Sequence, residues 1–267
     1  MATSTTAGSA TIQGRLWGER ADDWATIQER QVAPAFTAGL DALGVTAGTR
    51  LLDAGCGAGM VLRLAADRGA DVTGLDASEP LLAHARRRVP GAPIVRGELE
   101  ELPFEDGVFD VITGFNSFQY AARPAAALAE AVRVLRPDGQ VLLLTWGPPE
   151  QCEAAAYLAA LGQLLPPPPL GAPGPFALSD PEALTALYAD AGLRATSIAD
   201  VPCVWSYPDE TTAVAGLMAS GPVVRAIEHA GEKAVHHATI GFLTPFRTND
   251  GGYQITNGFR YVIGTPR

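Results

Sequence analysis

The sequence predicts an α/β protein in which helices cover both faces of a mostly parallel sheet. Between residues 49 and 146, short apolar runs of β type alternate with amphipathic helical segments, a pattern typical of right-handed βαβ units. The 267 residues are 47% hydrophobic and 18% charged, which is enough apolar material for one large core. We therefore expect a single domain over residues 15–267.

Each element of this core follows from a local pattern. The run "TRLLDAG" is the first strand, and "GMVLRLAADRG" continues as a helix whose apolar residues recur on one face. The strand "DVTGLD" precedes the helix "EPLLAHARRRV", with Ser78 as the N-cap and Pro80 in the first turn. The strands "APIVRGE" and "VFDVITGF" follow, then the helix "RPAAALAEAVRVLR" and the fifth strand "QVLLLTW".

The segments around this core are predicted from their composition. Residues 1–14 are expected to be a disordered N-terminus, and residues 15–46 to form N-terminal helices before the cofactor-binding core at 47–146. Residues 147–179 are predicted to form a surface connection, because they contain the proline run at 166–169 and proline has no backbone N–H to donate. Residues 209–250 are expected to form two or three helices, inserted between the last strands as a lid over the sheet edge.

Charge and composition restrict the partners. A formal net charge of -10 disfavours nucleic acid or an anionic membrane as partner, since both require clustered basic residues. No apolar run reaches the length of a membrane span, and no cluster of His, Cys, Asp and Glu has metal-ligand spacing. We therefore expect a cytoplasmic protein that binds a small molecule and no metal. The sequence carries no signal for an oligomeric state.

The loop in "LLDAGCGAGM" indicates which cofactor binds. Gly55, Gly57 and Gly59 form a G-x-G-x-G pattern, and Met60 stands where a dinucleotide fingerprint requires a small residue. Asp53, two residues before the first glycine, would repel a pyrophosphate but attract an ammonium or sulfonium group. The pattern therefore favours S-adenosylmethionine. A nicotinamide-dependent oxidoreductase is further disfavoured because no tyrosine is followed four residues later by lysine.

Two further strand ends indicate an adenosine. Asp76 ends the second strand, where a carboxylate binds ribose hydroxyls in both cofactor classes. After the third strand, the carboxylate of Glu98 is placed to accept from an adenine amino group, while the backbone amide of Leu99 donates to the ring.

Four stretches, "LLDAGCGAG", "VTGLDAS", "GELEELPFEDGVFDVITGFNSFQY" and "AVRVLRPDGQVLLLTW", resemble the successive motifs of class I S-adenosylmethionine-dependent methyltransferases. The chain is most similar to the small-molecule methyltransferases of ubiquinone and menaquinone biosynthesis. The segment "LWGERADDWA" resembles an N-terminal aromatic element of that group, with Trp17 and Trp24 where tyrosine is commoner. The resemblance implies a Rossmann-like sheet of seven strands, mostly parallel with an antiparallel last strand, and helices on both faces.

The resemblance also implies where the cofactor is held. Asp53, Gly55 and Gly57 would surround the methionine end, Asp76 the ribose, and Glu98 with Leu99 the adenine. Backbone carbonyls near the end of the fourth strand would receive the amino group. The full set of expected cofactor-binding residues is Trp17, Asp53, Gly55, Cys56, Gly57, Asp76, Ala77, Glu98, Leu99, Gly114, Phe115 and Gln119.

These features predict an enzyme that methylates carbon, nitrogen or oxygen of a hydrophobic or aromatic small molecule. Where the acceptor must lose a proton, His229, His236 and His237 in the expected lid are candidate bases, and Tyr120 is a further catalytic candidate. Asn116 and Gln119 are expected to orient either the cofactor or the acceptor. An alternative is a cyclase or a non-methylating binding protein that uses the same cofactor. The richness in Ala, Arg, Gly and Pro indicates bacterial specialised metabolism.

Overall fold

The computed structural model describes residues 8–167 and 174–267, which contain one seven-stranded sheet. The strands are β1 (Arg50–Ala54), β2 (Asp71–Asp76), β3 (Ile94–Arg96), β4 (Phe109–Phe115), β5 (Leu135–Trp146), β6 (Leu193–Tyr207) and β7 (Tyr253–Pro266). Their order across the sheet is β3-β2-β1-β4-β5-β7-β6. The first five are parallel, while β7 runs antiparallel to both β5 and β6. The predicted sheet with an antiparallel last strand is confirmed.

Helices cover both faces of the sheet. They are α1 (Ala10–Gly18), α2 (Ala21–Asp23), α3 (Ala33–Ala42), α4 (Met60–Ala66), α5 (Glu79–Arg88), α6 (Pro124–Val134), α7 (Ala154–Gly162), α8 (Pro181–Asp190), α9 (Glu210–Leu217), α10 (Gly221–Ala230) and α11 (Glu232–Leu243). Helices α6 and α8 cover one face, where Leu128 and Tyr188 are fully buried with Leu143 of β5. Helices α3, α4 and α7 cover the other, where Phe36 and Leu62 pack.

The central strand β1 shows why the site lies at the carboxyl edge. Leu51, Leu52 and Ala54 are completely buried, as expected for a parallel strand that is covered on both faces. The apolar run then ends in the glycine loop, and the backbone N–H groups of Gly55 and Cys56 both donate to the carbonyl oxygen of Leu75, at 2.7 and 2.9 Å. The loop is thereby fixed against the end of β2.

The N-terminal segment corrects the expectation of disorder over residues 1–14. Residues 1–7 lie outside the described residues, but α1 already begins at Ala10. It packs directly on the loop after β2, because Gly14 has no side chain: a Cβ there would lie 2.4 Å from the carbonyl oxygen of Ala77. This order depends on a contact 63 residues away in the chain, which composition does not reveal.

The insertion between β6 and β7 consists of α9, α10 and α11. It packs against the outer side of α1, where Arg15 forms an ion pair with Glu228 of α10. Just after α1, Arg20 forms an ion pair with Glu232 of α11. The expected helices are therefore present. Helix α10 packs on the N-terminal helix, and α11 packs on α7, where the hydroxyl groups of Tyr157 and Thr239 are 3.0 Å apart.

Two sequence expectations concern other parts of the chain. The surface connection expected over residues 147–179 is corrected, because this segment contains α7, whose Tyr157 and Leu161 are buried. Residues 168–173, which include part of the proline run, lie outside the described residues. Within the two described ranges, every helix is too short or too polar to cross a bilayer.

Candidate functional site

A cavity lies at the carboxyl ends of β1, β2, β3 and β4, the edge at which open α/β sheets bind ligands. Its empty space is about 770 Å³ when the mouth open to solvent is included. The wall contains nine of the expected site residues: Trp17, Gly55, Gly57, Asp76, Ala77, Glu98, Leu99, Phe115 and Tyr120. Four strand ends and the N-terminal helices thus converge on one site.

The glycine loop is held open by a carboxylate. Asp76 accepts the backbone N–H of Gly57 at 2.9 Å and that of Ser78 at 2.8 Å, so that one side chain connects the ends of β1 and β2. Gly55 has a φ of 86°, and a Cβ there would lie 2.2 Å from the Cβ of Ser117. Both the backbone conformation and the space therefore require glycine at this position.

Asp53 lies beneath the loop and not in the cavity wall. Its side chain is 1% exposed and accepts a hydrogen bond from the Thr113 hydroxyl at 2.7 Å. Burial raises the pKa of Asp53 to about 7, and the negative charges of Glu29 and Asp76 add to this effect, although the Thr113 hydrogen bond opposes it. The charge below the glycine loop therefore changes near neutral pH.

Glu98 connects β3 with the first turn of α1. Its carboxylate accepts the backbone N–H of Ala10 at 2.7 Å, that of Leu99 at 2.8 Å and the Ser9 hydroxyl at 3.2 Å. Burial opposes ionisation of Glu98, but these hydrogen bonds and one from Glu100 outweigh it and lower the pKa of Glu98. The carboxylate expected to face the adenine thus also binds the exposed N–H groups at the start of a helix.

Aromatic rings form the rest of the wall. The ring centroids of Trp17 lie 4.7 Å from Trp24 and 5.4 Å from Tyr120, and those of Phe36 and Phe115 are 5.1 Å apart, all in edge-to-face arrangements. Such faces favour a cation and exclude water. Desolvation raises the pKa of Tyr120 to about 12, so that its hydroxyl is neutral at physiological pH and is a donor instead of a base.

Besides Asp53, three expected cofactor residues lie behind the wall. Cys56 is buried, and its Sγ would lie 2.9 Å from a Cβ placed on Gly74 of β2. Gly114 faces the ring of Phe118. Gln119 donates through Nε2 to Oδ1 of Asn116 at 3.2 Å, and Asn116 itself lines the cavity.

The three histidines are not brought to the cavity. His229 on α10 and His236 and His237 on α11 are exposed, and the side chains that line the cavity in the described chain include none from residues 209–250. The reason is that α1 covers the cavity and the insertion packs on the outside of α1. The expected lid is therefore corrected: α1 is the cover, and the insertion supports it.

Sequence reasoning placed Trp17 at the cofactor but missed the other residues that the N-terminal helices contribute. Ala10, Gln13 and Trp17 line the cavity from one face of α1, and Val32 and Phe36 line it from the start of α3. The spacing of three and four residues in α1 is helical. This spacing is visible in the sequence, but it indicates a cavity-lining helix face only if residues 10–17 form an ordered helix.

Glu29 is a second missed residue. It is 4% exposed, and it accepts the backbone N–H of Met60, the first residue of α4, at 3.4 Å. Arg88 at the end of α5 forms an ion pair with Glu29 and also donates to the carbonyl oxygen of Ala25 at 3.0 Å. This pair joins the N-terminal cover to the glycine loop.

The chemistry of the wall fits a positively charged nucleoside without phosphate. The carboxylates of Asp76 and Glu98 lie in the wall, and Asp53 lies just below it. Among the lining residues in the described ranges, no lysine or arginine is present to bind a phosphate.

Comparisons with known proteins agree with this geometry. A family described as "Methyltransferase domain" matches residues 52–143. A demethylmenaquinone methyltransferase of Beutenbergia cavernae is 38% identical over 110 residues, which are 41% of this chain and 46% of that protein. The chain thus matches less than half the length of that relative.

Solved structures share the fold at low identity. A methyltransferase of Geobacter sulfurreducens in complex with S-adenosyl-L-homocysteine is 19% identical, with a TM-score of 0.58 over 95% of this chain and 98% of that one. The cyclase SpnF is also 19% identical, with a TM-score of 0.55 over 91% and 84%. Residues 52–143 therefore match the methyltransferase-domain family, and the sheet has the same fold as an S-adenosylmethionine-dependent methyltransferase of known structure.

Proposed function

We propose that this protein transfers a methyl group from S-adenosylmethionine to a small hydrophobic or aromatic acceptor. One observation carries the proposal: a single cavity joins a glycine loop and two acidic strand ends to a wall of aromatic rings. The acidic end suits the cofactor, and the aromatic end suits an apolar acceptor.

Positioning is the main catalytic effect that the residues can supply. S-adenosylmethionine provides an electrophilic methyl group on a sulfonium. The acceptor atom forms its bond to the methyl carbon while the carbon–sulfur bond breaks and its electron pair stays on sulfur. Asp76 and the glycine loop hold one reactant, and the Phe36 and Phe115 rings exclude water around the other, which favours an in-line arrangement. Tyr120 is neutral and keeps its own proton, so we propose that a proton lost by the acceptor passes to water.

The curated relative supports an aromatic ring as acceptor. Its name gives demethylmenaquinone as its substrate, and we propose a ring compound of similar polarity for this chain, in bacterial specialised metabolism. The net charge of -10 supports action without a nucleic acid or anionic membrane as partner.

The test is transfer of a labelled methyl group. The protein is incubated with S-adenosylmethionine carrying a tritiated methyl group and with reduced demethylmenaquinone, 2-naphthol or 1,4-naphthohydroquinone, and extractable label and S-adenosylhomocysteine are measured together. We expect equal amounts of both products and loss of both in Asp76→Ala. Cofactor binding without transfer to any ring compound would contradict the proposal.

A cyclase on the same fold is the second candidate. The likeness to SpnF supports it, although it concerns the fold alone. A cyclase would leave the methyl group on the cofactor, so the same assay separates the two candidates.

A further inference from the structure

Asn116 has a left-handed backbone conformation at the end of β4. In the described parts of the chain it is the single residue other than glycine with a positive φ, at 53°. It follows β4 directly, and its N–H donates to the carbonyl oxygen of Leu144 at 2.9 Å. Asparagine tolerates this left-handed conformation better than most residues, yet glycine would adopt it without strain.

The side chain is oriented by a neighbour. Gln119 donates through Nε2 to Oδ1 of Asn116 at 3.2 Å. This contact occupies the amide oxygen and turns the amide nitrogen away from Gln119. Within residues 8–167 and 174–267, that nitrogen has no hydrogen-bond partner in the protein, and Asn116 lines the cavity. Two N–H groups are thus available to a ligand.

The order of the strands indicates which ligand this is. Glu98 follows β3, Asp76 ends β2 and the glycine loop follows β1, in the sheet order β3-β2-β1-β4. The adenine, ribose and methionine parts of the cofactor are expected along these three strands in turn. Asn116 directly follows β4, whose last backbone carbonyls are expected to receive the amino group of the methionine end. Asn116 lines the cavity beside that end, where an acceptor must approach the methyl group.

The surroundings of Asn116 define the chemistry of that acceptor. Phe36 and Phe115 form an apolar wall, and the neutral hydroxyl of Tyr120 lies in the same cavity. Two neutral donors among aromatic rings suit an oxygen on a flat ring, including one that carries negative charge, because neutral donors stabilise an oxyanion without protonating it.

We infer that Asn116 binds the methyl acceptor, donating a side-chain N–H to an oxygen atom of a hydroxylated or carbonyl-bearing aromatic compound. The inference rests on the proposed function and names the acceptor class of that same cavity.

Two variants separate this role from a structural one. Asn116→Gly removes the side chain and relieves the backbone, so the protein should unfold at the same or a higher temperature. Asn116→Asp keeps the shape and tolerates the same φ, but it has no N–H to donate. Both variants should bind S-adenosylhomocysteine within twofold of the wild type, because the residues that face the cofactor are unchanged.

The probes are 2-naphthol and naphthalene, which differ by one oxygen, titrated into the protein saturated with S-adenosylhomocysteine. We expect the wild type to bind 2-naphthol at least tenfold more tightly than naphthalene, and both variants to reduce this preference to threefold or less. No preference in the wild type, or a preference that survives in either variant, overturns the inference. If the wild type fails to bind S-adenosylhomocysteine, the proposed function itself has failed, which calorimetry shows before the probes are added.

Discussion

The carboxylate of Glu98 accepts the backbone N–H of Ala10 at 2.7 Å, so the residue at the end of β3 holds the first turn of the helix that covers the cavity. The same carboxylate is expected to accept from the adenine amino group. Cofactor binding and closure of the cover therefore share one side chain, and a change at Glu98 should affect both.

Replacing Glu98 tests this shared role. Glu98→Ala removes charge-assisted hydrogen bonds that are typically worth about 1.5–3 kcal/mol each, so we expect affinity for S-adenosylhomocysteine to fall tenfold or more. We also expect faster amide hydrogen exchange in residues 10–18 of the unliganded protein. Glu98→Gln keeps one acceptor oxygen and should show a smaller effect on both. Unchanged exchange in the alanine variant would show that Glu98 does not hold α1.

The pKa of Asp53, raised to about 7 by burial, predicts pH-dependent cofactor binding. Ionised Asp53 attracts the sulfonium and ammonium groups, so affinity for S-adenosylmethionine should increase as pH rises from 6 to 8. Because S-adenosylhomocysteine lacks the sulfonium charge, its affinity should change less. Calorimetry across this range checks both ligands. Asp53→Asn should remove the difference in slope, and a slope that persists in this variant assigns the titration to another group.

The raised pKa of Asp53 also predicts that folding stability decreases as pH rises, whereas cofactor affinity increases. An acid whose pKa is higher in the folded state than in the unfolded state binds more protons when folded, so its stabilising contribution is complete below about pH 4 and is lost as pH rises through about 7. We expect the wild type to lose more unfolding free energy than Asp53→Asn between pH 5 and pH 8, as measured by urea denaturation.

The ion pair between Glu29 and Arg88 should position the glycine loop. Arg88→Met leaves the carboxylate of Glu29 buried without its partner, which costs roughly 3 kcal/mol of folding stability. We expect weaker S-adenosylhomocysteine binding as well, because Glu29 holds the N–H of Met60. Adding Glu29→Gln should recover much of the stability. The matched control is Asp200→Ala, which breaks the ion pair with Arg260 on β6 and β7 and should leave binding unchanged. Equal binding losses in both variants would argue against positioning.

Alanine variants of Gly55 and Gly91 distinguish a steric collision of the new Cβ from strain in the backbone. Gly55 and Gly91 have nearly equal φ values, 86° and 87°, but a Cβ at Gly91 meets nothing within 4 Å, whereas one at Gly55 collides with Ser117. Both alanine variants should lose about 1 kcal/mol from backbone strain. Gly55→Ala alone should abolish cofactor binding. Normal binding by Gly55→Ala would show that the loop does not hold the methionine end.

Site residues that directly follow an apolar strand could be predicted from the sequence, whereas residues that depend on contacts distant in the chain could not. The glycine loop, Asp76 and Glu98 were predictable because each directly follows an apolar strand, and parallel strands bring their ends together. The role of Glu29 and the order of residues 10–14 were not predictable, because they depend on contacts with Arg88, Ala77 and Glu98 that are distant in the chain. The position of the histidines away from the cavity was not predictable for the same reason, because an insertion has no sequence signal for the element on which it packs.

The most direct measurement of the central claim is calorimetric titration of the full chain with S-adenosylhomocysteine and, separately, with NAD. The acidic, phosphate-free cavity predicts one-to-one binding of S-adenosylhomocysteine and no heat with NAD. Tight binding of NAD together with no heat from S-adenosylhomocysteine would contradict the assignment of this cavity.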